Sequence, residues 1–315
     1  MTDKVIIITG PTASGKSDIA INLARSIGGE IISADSQQIY KDMDIGTNKT
    51  TDFMEVPHHL MDIISPDMNY SVEEFKTSAR TLIKEINDRG HIPIIAGGTG
   101  FYIDSILYDM NYGQSPKDDK IREKLTSDLK DYGSEYLYSK LAEIDQETAN
   151  KYHPNESNRI IRALEIYYTS GEKPSDIRTG GKDLNSEIEP LLFFLNYKER
   201  SEIYQKINNR VIKMIGEGLI EEFAQVVKKY NLNEDSQSMA AIGYKEIFPF
   251  VKGEIYIDTL IDNIQKNTRH YAKRQVTWMK RYLNHGFTHE IMMDNLSKID
   301  AYDIILSIVK EIYEL

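Results

Sequence analysis

The sequence predicts a parallel α/β sheet flanked by helices and interrupted by a mostly helical insertion domain. Three observations carry that reading. Short β-branched apolar runs alternate with amphipathic helical stretches between Val5 and Leu107. A polar, charged stretch then separates them from one more apolar run at Pro190–Asn196. The 315 residues also exceed the roughly 100–200 of one ordinary domain.

Val5–Thr9 is β-branched and apolar, ends at Gly10, and reads as a buried parallel strand. Ser17–Ile27 has helical apolar spacing at Ile19, Ala20, Leu23, Ala24 and Ile27, and Gly28-Gly29 stops it. Glu30–Ser33 reads as a second strand. Ser71 and Glu74 form a capping box before the apolar face Val72, Phe75, Ala79, Leu82, Ile83 and Ile86. Ile92–Ala96 is another buried strand, closed by Gly97-Gly98. Residues 113–186 read as the helical insertion, with a loose end at Thr179–Asp183. Residues 1–112 and 187–315 then form the core, whose C-terminal part is helical except for a late strand at Phe287–Met292. No internal repeat is evident.

Composition removes several function classes. There is no cysteine, which excludes disulfides, thiolate-bound zinc, iron–sulfur clusters and a cysteine nucleophile. No apolar run is long enough to span a membrane. The N-terminus leads directly into the first strand, so the reading is cytoplasmic, without a signal peptide. The net charge of −11 disfavours indiscriminate nucleic-acid binding, yet its distribution is uneven. Asn263–His289 holds six basic residues and no acid, which leaves −17 on the rest.

Gly10-Pro11-Thr12-Ala13-Ser14-Gly15-Lys16-Ser17 fits G-x-x-x-x-G-K-[ST] between a strand and a helix. Such a loop curls backbone N–H groups around phosphate oxygens and adds the positive end of a helix. Lys16 is expected to neutralise terminal phosphates and Ser17 to ligate Mg²⁺. The core is therefore expected to be P-loop NTPase-like. A motor or switch protein would also need an Asp at the end of a Walker B strand, and Ile92–Ala96 ends in Gly97-Gly98-Thr99 instead. Transferases and small-molecule kinases remain. Asp35 follows the second strand, where α/β sheets bind ligands, although a turn role is equally open to it.

Gly10–Ser17, Asp35–Tyr40, Met43–Thr47, Pro57–His59 and Gly97–Gly100 occur in an order that resembles the tRNA dimethylallyltransferase family. The resemblance continues through Asn158–Glu165, Arg210, Ile242–Tyr244 and Lys273–Trp278, and so covers nearly the whole chain. Asn48 stands where the family often has alanine, and the absence of cysteine speaks against the C-terminal zinc finger common in eukaryotic relatives.

The resemblance implies transfer of a dimethylallyl group from dimethylallyl diphosphate to the exocyclic N6 amine of the adenine beside the anticodon of tRNA. It assigns Asp35 as the base, Thr99 as a hydrogen-bonding partner at the reacting centre and Arg210 as the guanidinium that stabilises departing diphosphate. Thr99 could also cap a helix, and Arg210 by itself is a charge on a helix face. The resemblance also implies tRNA contacts at Asp35, Ser36, Gln37, Gln38, Thr99, Arg122, Asn158, Arg159, Arg162, Gly243, Tyr244, Lys273 and Arg274, and a monomer. Gln37 and Gln38 suit base edges.

Arg159 and Arg162 are expected to share a helix face. Lys266, Arg269, Lys273 and Lys280 are expected to form a basic stripe, with Ile264, Tyr271 and Trp278 as an apolar stripe on another face. His58 and His59 lack an evident third ligand and favour a structural or hydrogen-bonding role. Two competing readings stand: a P-loop small-molecule or nucleotide kinase, and an RNA-binding protein without catalysis.

Overall fold

The computed structural model describes residues 2–49, 56–110, 118–177 and 183–314. The expected insertion start at Gly113 and most of the loose end at 179–183 lie outside them. Six strands form one parallel sheet: β1 Asp3–Thr9, β2 Glu30–Ser33, β3 His58–His59, β4 Pro93–Gly97, β5 Ile188–Asn196 and β6 Thr288–Met292. Their order is β3-β2-β4-β1-β5-β6, so β1 lies between β4 and β5. Val5–Ile8 has no solvent exposure, as expected of a strand covered on both faces. At roughly 1.5–3 kcal/mol per buried large apolar side chain, β1 is a firm anchor for the loop that follows it.

Helices α1 Lys16–Ile27, α2 Val72–Asp88 and α3 Gly100–Leu107 connect the first strands. Gly28 caps α1 in the left-handed conformation, and Ser71 with Glu74 closes the expected capping box on α2. Five helices follow: α4 Asp119–Tyr132, α5 Ser134–Ile144, α6 Gln146–Ala149, α7 Ser157–Ser170 and α8 Pro174–Ile177. The C-terminal part adds α9 Arg200–Gly216, α10 Leu219–Tyr230, α11 Ile247–Val251, α12 Ile257–Met279 and α13 Lys298–Tyr313.

The chain divides into two compact units, Met1–Leu107 with Asn185–Leu315, and Tyr108–Leu184. In the first, the Asn185 N–H donates to the Leu107 carbonyl at 2.9 Å, so the exit and re-entry points of the chain are adjacent. The second has its own core of Leu125, Leu137, Leu141, Ile160, Ile161 and Leu164.

The edge strand β3 was not anticipated, and its histidines work within the sheet margin. His59 Nε2 lies 2.7 Å from Glu30 Oε2, which Arg89 also binds at 2.7 Å, while His91 lies 2.8 Å from Oε1. Burial pushes the Glu30 carboxyl up, but the bonds from Arg89, His59 and His91 outweigh it and hold the group at about 2. A carboxylate held below its unfolded range adds stability above about pH 4.5 and loses it as pH falls toward 2. Glu30→Gln should therefore lower unfolding stability by about 2–3 kcal/mol at pH 7, with the difference from the parent shrinking below pH 4.5. Urea titrations across that range check both the size and the sign.

Candidate active site

The loop between β1 and α1 has the backbone that its sequence requires. Gly10 has φ 155°, and a Cβ there would sit 2.6 Å from the Leu195 carbonyl oxygen. Ala13 and Gly15 also have positive φ, 65° and 91°. Lys16 folds back so that its Nζ donates to the Pro11 carbonyl at 2.8 Å. Ser14 Oγ is buried without a hydrogen-bond partner among the described residues, a donor left for an anion. Burial pulls the Lys16 ammonium down to about 8, with Asp35 opposing and Arg210 adding to the shift. Burial also lowers Arg210, whose Nη1 donates to Thr12 Oγ1 at 2.9 Å.

Two clefts meet beside this loop. One, of about 470 Å³, is lined by Lys16, Ser17, Asp35, Gly98, Arg210 and Gln275. The other, of about 260 Å³, has an apolar wall of Ile207, Val211, Met214 and Ile264, facing Ser36, Gln37 and Arg274. Thr12, Asp35, Thr47, Arg210 and Tyr271 line both. Asp35 follows β2 and accepts the Gln37 N–H on Oδ1 at 2.9 Å, so it has a turn role and still lines the clefts. Thr99 precedes α3, and its Oγ1 accepts the Ser36 N–H at 3.1 Å. Asp35 and Ser36 thus come from the end of β2, Thr99 from the end of β4 and Arg210 from the interior of α9.

Gln275, within the Lys273–Trp278 motif, is a site residue that the sequence reading does not single out. Its Oε1 accepts the Thr12 N–H at 2.8 Å, and its Nε2 donates to the Gly98 carbonyl at 3.0 Å. The amide therefore ties the phosphate loop to the end of β4. A Cβ at position 98 would lie 2.1 Å from Gln275 Nε2, so a side chain there would displace the amide. Gly100 likewise receives Trp278, whose Cδ1 would be 2.3 Å from a Cβ.

Several sequence expectations need correction. Gln38 is not left for a base edge: its Oε1 accepts from Ser33 Oγ and its Nε2 donates to the Thr47 carbonyl at 3.2 Å. Gln37 keeps that capacity, since its Oε1 is buried without a hydrogen-bond partner among the described residues. Gly243 and Tyr244 are buried, so neither offers a surface for RNA. The Tyr244 hydroxyl donates to Glu222 Oε1 at 2.6 Å, and its ring fills the space beside Gly46. Glu222, also overlooked, accepts the N–H groups of Asp44, Ile45 and Gly46 at 2.8, 2.7 and 3.1 Å.

The basic and apolar stripes on α12 differ from expectation too. Lys266, Lys273 and Lys280 are exposed, but Arg269 donates to Asn208 Oδ1 at 2.6 Å. Tyr271 does not only pack; it lines both clefts, where burial and Asp35 push its phenol up. Arg274 is exposed and lies over the Tyr271 ring. In the Tyr108–Leu184 unit, Asn158 and Arg159 are exposed near the start of α7, while Arg122 and Arg162 both reach Glu165. Arg159 turns away to Glu156 at 2.7 Å, so the two arginines of α7 do not act as one face.

This arrangement can hold a diphosphate against Lys16, Arg210 and the loop N–H groups, next to a carboxylate. Two outcomes follow. Inorganic diphosphate should bind most tightly below pH 8 and weaken above it, approaching about tenfold per pH unit as Lys16 loses its proton; Lys16→Met should flatten that profile in calorimetric titrations. Gln275→Leu should weaken diphosphate binding about tenfold because the loop N–H groups lose their register, and should lower the melting temperature by a few degrees because the Gly98 carbonyl is left unpaired.

Comparisons with known proteins agree with one another. The sequence model of the family described as IPP transferase matches residues 38–282, and that described as isopentenyl transferase matches residues 3–57. The tRNA dimethylallyltransferase of Thermoanaerobacter sp. (strain X514) is 47% identical over 285 residues, 90% of each chain. The crystal structure of tRNA delta(2)-isopentenylpyrophosphate transferase from Staphylococcus epidermidis is similar with a TM-score of 0.68 at 39% identity, covering 98% of this chain and 99% of that one. A eukaryotic dimethylallyltransferase acting on tRNA gives a TM-score of 0.83 at 29% identity, covering 99% of this chain and 80% of that one.

Proposed function

The chain belongs to the IPP transferase family of tRNA dimethylallyltransferases, and on that premise we propose how its residues carry the reaction. The protein is a prenyltransferase that acts on tRNA; of the readings left open by the phosphate loop, the family match selects this one over the kinase. The proposed donor is dimethylallyl diphosphate. The proposed acceptor is the exocyclic N6 of the adenine adjacent to the anticodon on its 3′ side, presented in the anticodon stem-loop. Since tRNA is the acceptor, the cytoplasm is the proposed site of action, and a monomer the proposed working form.

One observation carries the mechanism: Asp35 and Arg210 stand where the phosphate-loop cleft and the apolar-walled cleft meet. Diphosphate held by Lys16 and the loop N–H groups leaves with the electron pair of the broken carbon–oxygen bond. Arg210 and Lys16 stabilise the charge that grows on it. The apolar wall of Ile207, Val211 and Met214 receives the five-carbon chain, which becomes cation-like as the bond stretches. The amine attacks that carbon, becomes more acidic as its lone pair is committed, and passes its proton to Asp35. The turn bond from Gln37 leaves Oδ2 of Asp35 for that proton. Thr99 and Gln37 orient the base, which must first leave its stack at a cost of a few kcal/mol. Ser17 supplies a hydroxyl donor within the same cleft, which fits Mg²⁺ completed by phosphate oxygens and water. Bound there, Mg²⁺ would add neutralising charge to the leaving group. Arg122, Asn158, Arg159, Arg162, Lys273 and Arg274 are the proposed contacts to the RNA backbone.

The protein, Mg²⁺, dimethylallyl diphosphate and unmodified tRNA should yield adenosine heavier by about 68 Da, one prenyl unit replacing hydrogen. Mass spectrometry of digested tRNA reads it. Asp35→Ala should lower turnover on the order of 10²–10⁴-fold while tRNA affinity stays within a few fold. Equal losses in both would remove Asp35 from the role of base.

A further inference from the structure

Glu165 on α7 is fully buried, next in the chain to Ile160, Ile161 and Leu164 of that unit's apolar core. A buried carboxylate is costly unless it is paired, and here two guanidiniums pair with it. Arg122, from α4, places Nη1 3.3 Å from Glu165 Oε2. Arg162, one turn earlier on α7, places Nη1 3.1 Å from the same oxygen. Both arginine side chains stay partly exposed, 45% and 29%. Glu165 Oε1 is buried with no hydrogen-bond partner among the described residues.

Stability alone accounts poorly for this triad. An apolar side chain of similar size commonly packs in such a place at no loss, so the carboxylate brings something other than cohesion. It brings geometry. Two guanidiniums repel one another, and a shared anion beneath them holds them together. The group as a whole keeps one net positive charge. A guanidinium is planar and has five donors, more than a single carboxylate oxygen can occupy.

We propose that Glu165 is a positioning residue for RNA: it fixes Arg122 and Arg162 as a preformed pair that receives one backbone phosphate of the acceptor. This rests on the reading that these two arginines contact tRNA. Arg159 is outside the pair, being held by Glu156 and lying near the Tyr152 ring.

The proposal makes a prediction whose sign opposes simple electrostatics. Glu165→Gln removes a negative charge, which by Coulomb attraction alone would tighten tRNA binding. If the carboxylate positions the pair, Glu165→Gln should instead weaken tRNA binding about tenfold. It should also lower the salt slope of log Kd by about 0.7–0.9, the value of one lost phosphate contact. KM for tRNA should rise with kcat at saturation unchanged, and inorganic diphosphate binding should stay as in the parent. Glu165→Asp should recover part of the loss.

Tighter or unchanged binding in Glu165→Gln would overturn the proposal, provided that Arg122→Gln and Arg162→Gln each weaken binding. If those two leave affinity unchanged, the underlying reading of the arginines fails instead. Should Glu165→Gln lose its helical circular dichroism, the test moves to Arg122→Lys and Arg162→Lys. These keep the charge but lose the planar fork, so a severalfold weaker tRNA affinity supports the fixed pair, and parent-like affinity overturns it.

Discussion

The side-chain amide of Gln275 sets the register on which the site depends. It bonds the Thr12 N–H on one side and the Gly98 carbonyl on the other, so the ends of β1 and β4 are fixed against α12. That bridge explains two features that look unrelated. A glycine at position 98 leaves room for the amide, which occupies the place of a side chain. Tyr271, one turn before Gln275 on α12, is thereby delivered to the boundary of the two clefts. A neutral amide suits this task, since it donates and accepts at once and adds no charge where a diphosphate must be held.

Carboxylates do comparable work elsewhere. Glu222 gathers three successive backbone N–H groups at Asp44–Gly46, as an anion at a turn can, and so shapes the loop that carries Thr47 into the clefts. Lys49 reinforces that loop by donating to the Tyr40 carbonyl at 2.5 Å and to Asp44 at 2.8 Å. Glu30 ties the sheet margin together through Arg89, His59 and His91. Each of these acids serves order rather than chemistry, which leaves Asp35 as the acid at the meeting of the clefts.

Local signals in the sequence were read well, and distant ones were not. Glu30–Ser33 was legible to the residue because a glycine pair sets its start and its side chains follow one pattern. The capping box of Ser71 and the cap at Gly28 are likewise local chemistry. The phosphate loop is contiguous, so its spacing alone specifies it. By contrast, β3 is two residues long and has no periodicity to detect. Gln275 and Glu222 act on partners more than 170 residues away, and nothing in their own neighbourhood marks them. Gln38 and Tyr244 were misread for the same reason: residue type suggested a ligand contact, and the fold used their polar atoms internally.

The neck at Leu107 and Asn185 has a consequence for how this chain can vary. Its two sides are joined by a hydrogen bond, so Met1–Leu107 and Asn185–Leu315 are bounded as if by a short turn, whatever lies between. The entropy of closing a loop grows only by about 0.6 kcal/mol for each doubling of its length. The sheet is therefore nearly indifferent to the size of the excursion. Length changes between Tyr108 and Leu184 bear on that unit's own helices and core and not on the register of the sheet, while a single inserted residue between β1 and Lys16 would move the phosphate loop out of register.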